Sequence, residues 1–593
     1  MRVADYIADF LVEHGIVDCF SVVGGGAMHL NDALGHKPGL KVTYNHHEQA
    51  SAMAAEGYAR RLGTPACVCV TSGPGGTNAI TGVMGAWLDS IPMLIFSGQV
   101  KLAATISSTD VPVRQIGDQE FNIVDSVSCM TKYAVMVNDP RKIAYHLEKA
   151  FRLATSGRPG PVWLDVPLDV QSAQVSPDEL SHYEDTDEVN FKCDPGDIEL
   201  LLAKLSEAER PVVLAGGGIR TGHAYDRFLR VVDKLGVPVV TAWNAHDLLP
   251  DSHPLNCGRP GTLGTRGGNF VVQNADMLIS FACRMNVRQI SYNWENFAPL
   301  AYKVAIDIDE AELLKPTLSI DFPITADIAD AFDTILENDR YQPKDRKDWI
   351  AWCRRANDLY PVVLPSYMQD HPINPYVFMS RLSDALPEGE TTVASNGTAC
   401  VCSFQAFTIK QDQRLYANSG CASMGYGLPA ALGASVALGG ERVICLEGDG
   451  SIMMNLQELQ TVRTNNLNLK IFILNNDGYH SIRQTQANSF SGNYCGIGSD
   501  SGDLDFPEWG KIADAFNLPF RRLGSLSEMD QVIDWLLHTD GPAICEVLID
   551  KTQFFAPKLS SKKLPDGSVV SPPLEDMYPF LSETEMQEMK WRD

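Results

Sequence analysis

Nowhere in these 593 residues do eighteen apolar residues run together, so no membrane-crossing helix is expected. Positive charge is the scarcer sign: 48 Lys and Arg face 74 Asp and Glu, a formal balance of −26. Such a surface repels nucleic-acid phosphates and anionic membranes unless its cations are segregated, and they are not. Even the Lys562-Lys563 pair has acidic neighbours and reads as solvated surface. The fourteen cysteines include Cys67 and Cys69 in a strand-like run and Cys400 and Cys402 near a turn, with no paired CxxC spacing. Reduced, buried thiols of a cytoplasmic protein are expected, not a zinc site or a disulfide framework. The opening MRVADYIADFLVEHGIVDCF sets acids between apolar residues at helical spacing. It lacks the uninterrupted apolar core of a secretory signal, so export is not expected.

What is present is an alternation of apolar β-rich runs with helical patterns. ACVCVT, IPMLIFSG, RPVVLAGGG, GVPVVTAW, ADMLISFA and YKVAIDID all fit strands of parallel sheets covered by helices. The length exceeds one hydrophobic core. Polar stretches near 172–195 and 338–372 read as connectors, giving an α/β protein of three parallel-sheet domains at 1–180, 190–340 and 365–550, with a tail or lid over 551–593. One internal echo stands out: LGTPACVCVTSGPGG leads through a helix to IPMLIFSGQ, and LGGERVICLEGDGS leads through a helix to LKIFILNND. Convergence would also give such an echo, because every parallel sheet repeats this unit.

The second copy of the echo carries chemistry. Gly448-Asp449-Gly450 follows one strand and Asn475-Asn476 the next, so both should meet at the carboxyl edge of a sheet, where helix N-termini favour phosphate. A carboxylate at Asp449, a carboxamide at Asn476 and a backbone carbonyl at Gly478 are hard oxygen ligands suited to Mg²⁺ bridging a diphosphate. Gly450 lets the backbone approach the phosphates. Taken singly, each dipeptide is more often an ordinary turn or strand cap. Together, with Asp449 27 positions before Asn476, they match the diphosphate–magnesium signature of thiamine-diphosphate enzymes.

The segment from Tyr44 to Val100, beginning YNHHEQASAMAAEGYARR, resembles the pyrimidine-binding segment of the acetolactate synthase family. AFRLATSGRPGPVWLDVPLDVQ, IDIDEAELLK and SGCASMGYGLPAALGA extend that resemblance over about 1–550. It implies a catalytic Glu48 hydrogen-bonded to the cofactor's aminopyrimidine, favouring the tautomer that removes the thiazolium proton. Such an acid should be buried so that its protonated form persists. By the same resemblance, Met424 wedges beneath the thiazolium and Ala422 offers a carbonyl to the 4′-amino group. A lone Met is far more often core filler, so this assignment depends on its surrounding frame. The resemblance further assigns Gly24, Gly25, Ser72, Gly73 and Asn78 to the cofactor from the first domain. From the third it assigns Asn396, Gly397, Thr398, Gly448, Ser451 and Tyr479, and it places Gln115 and Phe121 among catalytic neighbours. The middle domain resembles a structural FAD-binding domain, with Arg158, Gly217, Thr262, Leu263, Arg284, Asp307, Asp309 and Asp327 lining a flavin. Some relatives leave this domain empty or bind another nucleotide.

The substrate-facing positions depart from the family. VVGGGAMHLNDAL brings His29 toward the expected pocket, with a satisfied core histidine as the alternative. DGYHSIRQTQ puts Thr485 where the family has a tryptophan, beside His480, Ser481 and Arg483. A wall of hydrogen-bonding groups implies a polar acceptor, because such groups are costly to leave unpaired. The tail KLSSKKLPDGSVVSPPLEDMYPFL resembles that of relatives transferring an acetyl unit from pyruvate to ketones, nucleotide-linked keto sugars among them. The expectation is a transferase or lyase that decarboxylates pyruvate and ligates its two-carbon unit to a ketone or keto sugar. It would act as a homodimer or homotetramer with sites between subunits. Acetolactate synthesis, hydrolysis of a cyclic diketone with His29, Gln115 or Gln119 placing water or substrate, and a non-catalytic assembly role are the rivals.

Overall fold

The computed structural model describes residues 1–185, 191–563 and 566–591. Three all-parallel sheets, each clad in helices, form the body. The first contains β1 (Asp18–Ser21), β2 (Lys41–Tyr44), β3 (Ala66–Val70), β4 (Met93–Gln99), β5 (Tyr133–Met136) and β6 (Pro161–Pro167). The second contains β7 (Pro211–Ala215), β8 (Val239–Thr241), β9 (Met277–Phe281), β10 (Tyr302–Asp307) and β11 (Phe322–Thr325). The third contains β12 (Thr391–Ala394), β13 (Arg414–Tyr416), β14 (Val443–Gly448), β15 (Leu469–Asn475), β16 (Phe520–Leu523) and β17 (Ala543–Leu548). Every residue of β3 and β4 is buried, which is why these strands read as continuous apolar runs and not as alternating ones.

The first sheet runs β2-β1-β3-β4-β6-β5 and the third β13-β12-β14-β15-β17-β16, the same permutation of six strands. The two halves of the sequence echo are β3–β4 and β14–β15, occupying the same places in their sheets. Both sheets reverse their winding beside their first strand, between β1 and β3 and between β12 and β14. Crevices for ligands open at such switch points, outside the carboxyl ends of the strands.

The first and third domains share one hydrophobic core. Its seam is the pairing of the helix Glu48–Leu62 with the helix Gly427–Ala437, both rich in small residues. A Cβ on Gly433 would lie 1.8 Å from the Ala54 carbonyl oxygen, and one on Gly57 2.2 Å from that of Ala430. The helices therefore touch backbone to backbone, an approach only glycine permits. This seam sets the helix that begins at Glu48 against the turn that carries Met424.

The expected connector at 338–372 contains the helix Lys347–Leu359, whose Trp349 and Cys353 are buried in the central core. The tail is a strap across the central domain. Arg266 Nη2 donates to the Pro579 carbonyl at 2.6 Å, Asn269 Nδ2 to that of Leu574 at 2.9 Å, and Trp591 packs edge-on against Trp349. Residues 186–190 of the first connector and 564–565 of the tail lie outside the described residues. Among the described residues, no helix is long and apolar enough to cross a membrane.

Candidate functional site

The carboxyl ends of β12, β14 and β15 converge on one crevice. Asp449, buried at the tip of β14, accepts hydrogen bonds from the Gly450 N–H at 2.8 Å and the Gly478 N–H at 2.9 Å. Burial pushes its carboxyl up to about 7 against the pull of those two N–H groups, so a nearby cation would favour the charged form. Asn476 Nδ2 donates to Thr398 Oγ1 at 3.1 Å, which fixes the amide so that Oδ1 points elsewhere. That Oδ1 is buried with no hydrogen-bond partner, an orphaned acceptor of the kind a metal ion satisfies. Among the described residues no group of three His, Cys, Asp or Glu forms a metal cluster. The candidate donors are one carboxylate, one amide and the Gly478 carbonyl, a hard-oxygen set that fits Mg²⁺. Gly478 has φ +123° and packs so closely on Ile497 that a Cβ would lie 1.8 Å from its carbonyl oxygen. The Tyr479 ring covers Gly450, where a Cβ would come within 2.4 Å of it.

The loop 418–426 forms the facing wall. Asn396 Nδ2 donates to Asn418 Oδ1 and to the Ser423 carbonyl, both at 2.8 Å. Ser451 Oγ bonds Ser395 Oγ at 2.6 Å and accepts the Gly425 N–H at 2.8 Å. Ala422 has φ +54°, a left-handed turn closed by its own N–H to the Asn418 carbonyl at 2.7 Å. Within this braced loop, Met424 is 42% exposed. Its side chain is therefore not part of the hydrophobic core. Gly397, at φ +82°, turns the chain into the helix Thr398–Ala406.

Glu48 opens its helix behind the N-cap His47, whose Nδ1 accepts the Gln49 N–H at 3.1 Å. Its side chain is buried, and Oε2 accepts Asn78 Nδ2 at 3.0 Å, joining two positions singled out separately in the sequence. The root of the helix is fastened to the third domain. Asn455 Nδ2 bonds Gln49 Oε1 at 3.0 Å and the Gly425 carbonyl at 2.8 Å. Glu458 accepts the His46 N–H at 3.0 Å and Asn45 Nδ2 at 2.9 Å. Gly24, Gly25, Ser72 and Gly73 lie at the ends of β1 and β3, on the same sheet edge as Glu48. Gly26, one residue beyond Gly25, packs on Ser72, and Gly73 takes φ +57° against the Gln119 carbonyl.

Several expected substrate residues are otherwise engaged. Arg483 is buried and gives its guanidinium to the Asn476 carbonyl at 2.9 Å, the Asp477 carbonyl at 2.7 Å and Asp500 at 3.3 Å. It braces the end of β15 and does not face a substrate. His480 is buried against Phe554 and Phe555, with Nε2 on the Gln553 carbonyl at 3.0 Å. Burial and the Arg483 charge lower its imidazole to about 4, so it is neutral near pH 7. Thr485 is exposed and spends its hydroxyl on the Ser481 carbonyl at 3.0 Å. Ser481 Oγ remains at the crevice, 3.9 Å from where a Gly397 Cβ would be. His29 is half-buried in the helix Met28–His36. Gln115 is exposed with its amide on the Glu120 carbonyl at 3.0 Å, and Phe121 is exposed.

A separate cavity of about 600 Å³ lies where all five central strands end, walled by all three domains. Arg158, Gly217, Arg284, Asp307 and Asp327 line it. Thr262, Leu263 and Asp309 do not. The Thr262 carbonyl accepts the Leu559 N–H of the tail at 2.8 Å, Leu263 packs into the third domain's core, and Asp309 pairs with Arg158 at 2.7 Å. Burial raises Asp307 to about 6. The glycine turn after β7 and the acid at the end of β10 fit a nucleotide-bearing ligand, with those three residues outside its wall.

Sequence reasoning missed the bracing residues. Glu120 accepts the N–H groups of Ile106, Ile116 (2.8 Å) and Gly117 (3.2 Å), and so shapes the loop bearing Gln115 and Phe121. Asn418, Asn455 and Glu458 act across sequence distances that no local spacing reveals.

The family models fit this geometry. The N-terminal TPP binding domain of thiamine pyrophosphate enzymes matches residues 1–121, their central domain 198–335 and their C-terminal TPP binding domain 395–547. Acetolactate synthase 1, chloroplastic, of Oryza sativa subsp. japonica is 32% identical over 94% of this chain and 86% of its own. Acetolactate synthase isozyme 2 large subunit of Escherichia coli (strain K12) is 31% identical over 93% and 96%. The probable acetolactate synthase large subunit of Methanococcus aeolicus is 30% identical over 90% and 89%.

Proposed function

Because this chain belongs to the thiamine pyrophosphate enzyme family, alongside the acetolactate synthase large subunits, we propose that it ligates the two-carbon unit of pyruvate to a ketone or keto-sugar acceptor. Thiamine-dependent decarboxylation and carboligation is the activity of its family; the acceptor is the added reading. Thiamine diphosphate, when bound, would supply the nucleophilic carbon that decarboxylation and carboligation require. Asp449, Asn476 and the Gly478 carbonyl would hold Mg²⁺ at the diphosphate, and Gly450, Ser451 and the Asn396–Thr398 turn would cradle the phosphates. Glu48, oriented by Asn78, would exchange a proton with the pyrimidine, and Met424 would keep the two rings folded together. FAD, as a structural group, would use Arg158, Gly217, Arg284, Asp307 and Asp327.

One observation carries the acceptor reading: Thr485, at the position where the family has a tryptophan, stands open to solvent one turn beyond Ser481. His480 and Arg483 are held by the Gln553 and Asn476 carbonyls and do not bear on the acceptor. Supply of pyruvate with separate pools of 2-oxo acids, cyclic ketones and keto sugars, read by product mass, tests it. An adduct of a ketone or keto sugar plus an acetyl unit, with CO₂ released, is expected; acetolactate alone would overturn the reading. Acetolactate synthesis is the second reading, favoured by the names of the relatives. A diketone hydrolase finds less support, since the Gln115 amide is tied to Glu120.

A second copy is proposed to complete the site. Met28 and Tyr44 in the first domain and Met424, Met453 and Met454 in the third are exposed apolar side chains that a partner would cover. Sedimentation of an active monomer would overturn this.

A further inference from the structure

Asp89, which caps the carboxyl end of the helix Pro74–Leu88, takes hydrogen bonds from all three domains. Its Oδ2 accepts Arg60 Nη2 of its own domain at 2.6 Å. Its Oδ1 accepts the Gly420 N–H of the third domain at 3.0 Å and Arg284 Nη2 of the central domain at 3.3 Å. Arg60 also sets its guanidinium fork on Glu56 Oε1, with Nε at 2.9 Å and Nη2 at 2.6 Å. The side chains of Asp89, Arg60 and Glu56 are each less than a tenth exposed. Desolvating such a cluster costs about as much as its attractions return, so stability alone does not account for it.

The third-domain end of this cluster is the wall loop that carries Met424. None of residues 419–424 is buried, so packing against a core does not fix them. Ala422 is held at φ +54°, a conformation that non-glycine residues keep only where their surroundings over-determine it. Asn396, Ser451 and Asn455 hold the loop at Asn418, Ser423 and Gly425. Gly420 lies between those points and is held from the first domain by Asp89. The contact is close: a Cβ on Gly420 would lie 2.5 Å from Asp89 Oδ1 and 2.9 Å from Leu88 Cβ. At the far end of the loop Tyr426 is fully buried, and burial and the Glu56 charge push its phenol well above the ordinary range. Two points of one loop therefore meet one first-domain cluster.

We infer that Asp89, backed by Arg60, is a positioning residue for the thiamine site: it sets Gly420 and, through the loop, where the Met424 side chain stands. Asp89 touches no reacting atom in this arrangement and acts only through the loop. The inference rests on the proposed place of Met424 beneath the thiazolium, and it adds that the first domain fixes the third domain's wedge. A carboxylate with two fixed oxygens suits this task, because one holds the loop N–H while the other is pinned by Arg60.

The test uses the full chain saturated with thiamine diphosphate and Mg²⁺. It reads cofactor affinity, CO₂ release from pyruvate, and exchange of the thiazolium proton in D₂O, which depends on how the rings are folded and needs no substrate. Asp89→Asn keeps the shape but removes the charge that Arg60 holds. Gly420→Ala presses a methyl group against Asp89 without altering any charge, and it decides the matter if Asp89→Asn fails to fold. In both variants exchange and turnover should fall together by about tenfold or more, as misplacement of a positioned group does. Cofactor affinity should stay within a few-fold, because the diphosphate grip lies at Asp449 and Asn476. Adding either change to Met424→Ala should slow exchange little further, since they act on one element. Exchange at the parent rate in folded Gly420→Ala, or full additivity with Met424→Ala, would overturn the inference and leave the thiamine reading standing. Exchange at the parent rate in Met424→Ala itself would overturn both.

Discussion

Glu48 Oε2 and Asn78 Nδ2 lie 3.0 Å apart, joining the N-terminal parts of two helices that leave the same sheet edge. The amide holds one carboxylate oxygen and leaves the other for a ligand. Under the proposed role, Glu48→Gln removes proton exchange while preserving shape, and turnover should fall by about 10²-fold or more. Thiamine diphosphate affinity should stay within a few-fold, since the diphosphate grip is in another domain. Asn78→Ala should lower turnover less, because it frees the carboxylate without removing it. Steady-state rates beside cofactor titrations check both.

The Asp449 carboxylate is held by two backbone N–H groups and the Asn476 Oδ1 atom has no partner. Asp449→Ala should therefore abolish Mg²⁺-dependent cofactor retention, and chelation of the parent protein should release cofactor that returned Mg²⁺ restores. Equilibrium dialysis with and without chelator measures this. Asn476→Asp should keep metal binding, because it places a carboxylate oxygen at the orphaned position.

Much of this edge could be read in the chain because its motifs are local: a glycine turn ending one strand and an asparagine pair ending the next. The three sheets were likewise evident from apolar runs buried on both faces. What escaped was whatever depends on distant partners. Arg483 and His480 sit in a polar sequence that resembles a substrate wall, yet the Asn476 and Gln553 carbonyls claim them. The helix Lys347–Leu359 lay hidden in a charged stretch, because only its Trp349 and Cys353 face supplies the core.

Gly433 and Gly57 let the two thiamine-family domains share a core at backbone contact. Gly433→Val would drive its side chain into the Ala54 carbonyl, so destabilisation of about 3 kcal/mol or more is expected, with activity lost alongside. Gly439→Ala, near the same helix end but in open space, serves as the comparison for the steric effect, though its φ of +69° brings modest strain. Denaturant midpoints of the two variants measure the difference.

Asp165 is buried in the first domain, bonded by Ser97 Oγ at 2.5 Å and Gln99 Nε2 at 3.1 Å, and burial raises it to about 7. Its folded pKa lies above the ordinary aspartate value of 3.8. The stability it contributes is therefore full below that value and is lost as pH rises through about 7. Asp165→Asn should carry a pH-independent offset but lack this slope, so its stability relative to the parent rises from pH 5 to pH 8. Urea denaturation across that range shows the trend; parallel curves would reject the assignment.

The most direct measurement is a structure of the assembled protein with thiamine diphosphate and Mg²⁺ bound. The Glu48 carboxylate should meet the aminopyrimidine ring within hydrogen-bond reach, Met424 should sit under the thiazolium, and Asp449 and Asn476 Oδ1 should coordinate the metal. A bound cofactor whose pyrimidine lies away from every copy of Glu48, or a metal held by other residues, would contradict the account.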